Sequence, residues 1–172
     1  DAAMAGEKSK LSPWPGLTFG PCVLRPESRG QVRLSTPDSA AVPDICHNWL
    51  ADAADQRLSL KAMRMARDLV ATKALGALVE AEVWPGHARA SDAELLDYAR
   101  AYGNTGYHPV GTCRMGIDQT AVVDPQLRVR GLDGLRVVDA SVMPRLVSGN
   151  TNAAAIMIAE KGADMILGQG LN

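Results

Sequence analysis

The segments of this chain best equipped for chemistry lie towards its C-terminal end. Tyr107-His108-Pro109-Val110-Gly111-Thr112-Cys113-Arg114-Met115-Gly116 puts an imidazole in a loop shaped by proline and glycines. An imidazole titrates near neutral pH and so serves as a proton acceptor. Ser148-Gly149-Asn150-Thr151-Asn152 then sets amide side chains at the opening of an apolar helix. That end of a helix is positive. The two segments together describe a site that takes a proton and steadies a developing negative charge.

The rest of the chain reads as a succession of short elements. Residues 1–16 form a flexible lead-in ending in Ser12-Pro13-Trp14-Pro15-Gly16. Leu17–Leu24 and Gln31–Ser35 read as short strands about the turn Pro26-Glu27-Ser28-Arg29-Gly30, the second alternating Val32 and Leu34 with polar residues. A loop dotted with Pro and Asp, Thr36 to Asp44, follows. Residues 57–71 form an amphipathic helix with Leu58, Ala62, Met65 and Leu69 on its inner face. Glu80–Trp84 reads as a strand closed by Pro85-Gly86. Ser91-Asp92-Ala93-Glu94 is a capping box. It opens a helix that turns Leu95, Leu96, Ala99 and Tyr102 inward and ends near Gly103. The charged residues of both helices read as solvated faces.

Leu127-Arg128-Val129-Arg130 and Leu135-Arg136-Val137-Val138-Asp139, around Gly131-Leu132-Asp133-Gly134, read as a hairpin or two consecutive strands. Ala153–Ala159 is apolar on every side, which calls for a helix buried all round and stopping at Gly168-Gln169-Gly170. The implied class is α+β. It comprises an antiparallel sheet with covering helices and a C-terminal strand and helix made for a partner this chain does not contain.

With 172 residues and 18.2 kDa the chain can bury a real core. A net charge of −1 gives no reason to expect nucleic acid or an anionic membrane as partner. No apolar run approaches the roughly 20 residues that span a bilayer, and no secretory signal stands at the start. Cys22, Cys46 and Cys113 fit neither a disulfide scaffold nor a zinc pattern, and a reducing, cytoplasmic compartment suits them. Cys113 reads as a small buried filler, and His47 and His87 as surface or loop histidines. Asp124 and Asp139 read as turn and cap formers, and Arg145 as one half of a surface ion pair.

From about Phe19 to Ile166 the chain resembles the C-terminal region of the glucose–methanol–choline (GMC) family of flavin-dependent oxidoreductases. The likeness rests on the Tyr107–Gly116 segment, Val122-Val123-Asp124-Pro125, Gly134-Leu135-Arg136-Val137-Val138-Asp139-Ala140-Ser141-Val142-Met143-Pro144, Ser148–Asn152 and Met157-Ile158-Ala159-Glu160-Lys161. Its wording is closest to choline-dehydrogenase-like members. The resemblance implies oxidation of an alcohol by FAD, a base taking the hydroxyl proton while hydride leaves the carbon for flavin N5. It assigns His108 as that base and puts Asn150 at the second active-site position, where the side-chain N–H steadies the alkoxide. It also places the Asp139-Ala140 peptide near the cofactor's pyrophosphate and ribityl side, and backbone N–H groups of Asn152 and Ala153 at the flavin N1–C2=O edge. Read alone, His108 would be a structural histidine, and Asn150 and Asn152 helix caps.

The resemblance divides the chain into part of a substrate-binding domain, 17–120, and a return segment of the FAD-binding domain, 121–172. The family's N-terminal Gly-rich fingerprint is absent from this sequence. The chain alone is therefore expected to bind FAD weakly or not at all and not to turn over. Its partners are then an alcohol substrate, the N-terminal FAD-binding portion and, through the apolar helix, a second copy. Peripheral membrane association of a complete enzyme stays compatible with this reading. With aromatic residues at 4%, no cage for a quaternary ammonium is visible. A hydroxynitrile lyase of the same family and a self-associating, non-catalytic module are the alternative readings.

Overall fold

The structure, a computed structural model, describes residues 15–168. The chain divides into two compact units, one gathering residues up to 23, 27–29 and 48–105, the other 24–26, 30–47 and residues from 106 on. The lead-in assigned to residues 1–16 lies almost wholly outside the described residues.

The first unit is built on three helices, α1 (Ala53–Val70), α2 (Lys73–Gly76) and α3 (Asp92–Tyr102). Asp52 starts α1 by accepting the N–H of Ala54. The helix lies where the periodicity puts it, but its packed face differs. Leu58, Met65 and Leu69 are exposed, while Leu60, Met63, Arg67 and Val70 are half-buried. Apolar residues stand on two sides of this helix, so periodicity alone does not choose between them. The capping box at α3 forms in full, with Glu94 N–H on the Ser91 hydroxyl and Ser91 N–H on the Glu94 carboxylate. Leu95 is buried, with Leu96, Ala99 and Tyr102 half-buried.

Two charges on α1 are structural rather than solvated. Arg67 donates to Glu82 at 2.8–3.2 Å and to the carbonyls of Gly86 and Arg89. This fork draws 82–89 into turns, and Glu80–Trp84 is accordingly not a strand. Asp55, only 2% exposed, accepts the N–H groups of Glu27 at 2.9 Å and Ser28 at 2.7 Å. Burial raises the Asp55 pKa. The Ser28 side chain, the two N–H groups and the charge of Arg29 lower it further than burial raises it, and the net value falls below the usual carboxylate range.

The unfolded chain therefore takes up this proton at higher pH than the folded one does. The stability it contributes is complete above the ordinary Asp pKa of about 3.9 and is lost as pH falls through the depressed folded value. Urea unfolding between about pH 2 and pH 6 should show this acid loss in the wild type and a flatter profile in Asp55→Asn. Matching pH slopes would contradict it.

The second unit carries a two-stranded antiparallel sheet, β1 (Gln31–Arg33) with β2 (Asp44–Cys46), in the register Val32 opposite Ile45. The partner of β1 is thus a segment just past the proline at 43. Leu17–Leu24 is not a strand. Pro21, which has no N–H to give to a ladder, interrupts it. The hairpin at 127–139 is present as isolated pairings, Val129 N–H to Leu135 and Val137 N–H to Leu127. Around it closes the core of this unit, Val123, Leu127, Val142, Met143 and Ile158.

The last helix, α4 (Asn152–Leu167), packs on a short 3-10 helix, Ala140–Val142. It stops at Gly168, which takes the left-handed conformation of a helix C-cap. Its packed side carries Ile158 and Gly162, whereas Ile156, Met157, Ile166 and Leu167 are more than half exposed. The all-round burial its composition calls for is therefore met on one side only. Gly162 is required for the close approach, because a Cβ there would stand 2.3 Å from Val138 Cγ1. A valine branch has little freedom to turn away. Gly162→Ala is expected to cost about 1–3 kcal/mol in chemical denaturation; an unchanged midpoint would show that α4 shifts freely.

Candidate active site

The backbone aims His108 through a few local devices. Tyr107 before it lies in the left-handed region at φ 61°, a costly conformation for a bulky side chain. Gly111 three residues on takes φ 88°, which a side chain would strain. Beyond it the chain is stitched to the 3-10 helix, with Cys113 N–H on the Ser141 carbonyl at 3.1 Å and Met115 N–H on that of Val142 at 2.9 Å. The loop thereby becomes part of the core that carries α4.

The consequence is a contact across 43 residues of sequence, His108 Nδ1 to Thr151 Oγ1 at 2.9 Å. Thr151 is 7% exposed and is the N-cap residue of α4, yet its side chain makes no capping bond within that helix. The half-buried imidazole is therefore fastened through one nitrogen to the residue beside Asn150.

Asn150 is exposed just ahead of the helix, and Asn152 and Ala153 occupy the exposed first two positions of its first turn. The first bond of the helix runs from Ala155 N–H to the Thr151 carbonyl. The N–H groups of Asn152 and Ala153 precede it and have no intrahelical acceptor. No acidic side chain sits in that turn to offset the positive helix end.

Asp139 accepts the N–H of Ser141 at 2.8 Å and the Ser141 hydroxyl, capping the 3-10 helix that Ala140 opens. Asp124 likewise accepts the N–H groups of Gln126 and Arg128, as a turn former does. His87 is exposed and lies 3.5 Å from Glu82, and His47 is exposed. The three cysteines are free, Cys113 being half-buried. Among the described residues no cluster of His, Cys, Asp or Glu could hold a metal ion, and no helix is long and apolar enough to cross a membrane.

Thr151 is the functional side chain that the motifs do not single out. Its signal was available in the question of which side chain takes the second nitrogen of a candidate base.

The profile of the GMC oxidoreductase family matches residues 26–159. The chain belongs to this family. It is similar to oxygen-dependent choline dehydrogenase of Klebsiella pneumoniae subsp. pneumoniae, 46% identical over 85% of this chain and 26% of that protein. It is similar also to alcohol dehydrogenase (acceptor) of Pseudomonas putida, 44% identical over 88% of this chain and 28% of that protein. Among solved structures, pyridoxine 4-oxidase from Mesorbium loti superposes with a TM-score of 0.79 at 38% identity, covering 86% of this chain and 29% of that one. This GMC chain thus spans about a quarter of the length of the curated relatives it matches. The α+β class agrees with that likeness. GMC oxidoreductases use FAD.

Proposed function

We propose that this chain is the C-terminal, proton-handling portion of an FAD-dependent alcohol dehydrogenase or oxidase, acting on a CH–OH donor. The single observation that carries the reading is His108 fastened by one nitrogen at the positive N-terminus of α4, next to Asn150. His108 Nε2 takes the hydroxyl proton. The Asn150 side-chain N–H donates to the same oxygen, favouring the alkoxide over the alcohol.

The residues present fit one edge of a flavin. The N–H groups of Asn152 and Ala153 lie in an exposed first turn without an acidic neighbour, which suits the N1–C2=O edge. The Asp139-Ala140 peptide serves the pyrophosphate and ribityl side. FAD, when bound, supplies the hydride acceptor. Dipole and N–H groups hold the edge that grows negative, each contributing on the order of 1 kcal/mol.

Residues 17–120 belong in this reading to the substrate-binding domain, and 121–172 to the return of the chain into the flavin domain. The open apolar side of α4, Ile156, Met157, Ile166 and Leu167, supports a chain that is completed by further protein. In isolation that same side favours pairing with a second copy. The free cysteines support a reducing, cytoplasmic setting.

Titration of the purified chain with FAD, followed by desalting, tests the partition. Flavin lost on desalting is the expected outcome. Stoichiometric retention, with alcohol turnover, would show that the chain is complete for catalysis.

A further inference from the structure

We propose that Thr151 is the positioning residue of the base, its hydroxyl accepting the Nδ1–H of His108 and leaving the Nε2 lone pair as the only basic site of the ring. The inference rests on the reading of His108 as the base and adds to it what selects the working nitrogen. A hydrogen bond between Nδ1 and Oγ1 at 2.9 Å admits two proton arrangements. Either the hydroxyl donates and the proton sits on Nε2, or Nδ1–H donates and Nε2 is bare.

Only the second gives a base whose lone pair is free to meet a substrate. The state of Thr151 makes it available. A threonine at a helix N-cap ordinarily accepts an N–H of its own first turn. Here it accepts none, so its oxygen retains lone pairs for the imidazole. Thr151 as a residue is 7% exposed, which makes a competing water a poor substitute and an unmet bond costly.

The main chain that carries the imidazole is held on both sides. The backbone before the ring is held in the left-handed region at Tyr107, and the sequel is sewn to Ser141 and Val142. With the main chain fixed at the base of the side chain, one bond to the ring is enough to choose its orientation. A second-nitrogen partner fixing tautomer and direction is a general requirement of histidine chemistry. Here the partner is a neutral hydroxyl, which orients the ring without pairing a carboxylate charge to the imidazolium.

The test uses the complete flavoprotein with 15N-labelled histidine, as wild type, Thr151→Ser, Thr151→Val and His108→Ala. The His108 resonances are those lost in His108→Ala. In the neutral ring of the wild type, the proton is expected on Nδ1 and Nε2 is expected bare. Thr151→Ser should keep that pattern, and Thr151→Val should mix the two tautomers.

With choline and 1-butanol as hydride donors, Thr151→Val should slow flavin reduction about tenfold or more, and Thr151→Ser should stay within about threefold of wild type. A wild-type proton on Nε2, or a Thr151→Val protein with unchanged tautomer and rate, would overturn the proposal. If Thr151→Val does not fold, the wild-type tautomer and the Thr151→Ser variant still decide it. The base reading itself fails separately, through a His108→Ala enzyme that keeps its rate.

Discussion

His108→Ala in the complete flavoprotein is expected to slow flavin reduction by alcohol about 10²–10⁴-fold, the range for removing a positioned general base. The alcohol proton must go somewhere as hydride leaves its carbon, and none of residues 148–153 at the opening of α4 has a basic side chain. Asn150 and Asn152 are amides without basic nitrogen, and the Thr151 hydroxyl is committed to the ring. The flavin content of the variant should stay near wild type, because the N–H groups assigned to the flavin edge belong to Asn152 and Ala153. Anaerobic stopped-flow measurement separates the two quantities. A rate within about threefold of wild type would remove His108 from the mechanism.

Asn150→Ala should cost about 10²-fold in the same step. Its side-chain donor acts where charge develops, so the loss falls on kcat more than on KM. Folding offers no rival explanation of such a loss. The N-cap of α4 is Thr151, and Asn150 lies outside the helix and is exposed. Thermal unfolding of Asn150→Ala should therefore match wild type. A KM increase with unchanged kcat would reduce Asn150 to a binding contact.

Local devices were readable from the sequence because each is written within a few residues. The Ser91–Glu94 capping box, the start of α4 beside Asn152 and its stop at Gly168 all fall at their expected places. The 127–139 hairpin is recognisable too, through its glycines and alternating valines.

Features that depend on distant partners were not readable. β2 has only Asp44, Ile45 and Cys46, too few to show a period. Glu80–Trp84 carries strand-like residues, but the Arg67 fork overrides them. Asp55 reads as one more charge at a helix start until Glu27 and Ser28 are found upon it. At the site, motifs located His108 and Asn150, and the bond to Thr151 needed the fold.

The most direct measurement of the central claim is anaerobic mixing of the complete flavoprotein with an alcohol, protiated and then deuterated at the carbinol carbon, while flavin absorbance is followed. Alcohol-dependent loss of oxidised-flavin absorbance is expected, slower with the deuterated donor and slowed about 10²–10⁴-fold in His108→Ala. Unchanged flavin absorbance together with cleavage of a cyanohydrin would contradict it, and would make this site a lyase rather than the proton-accepting half of an oxidation.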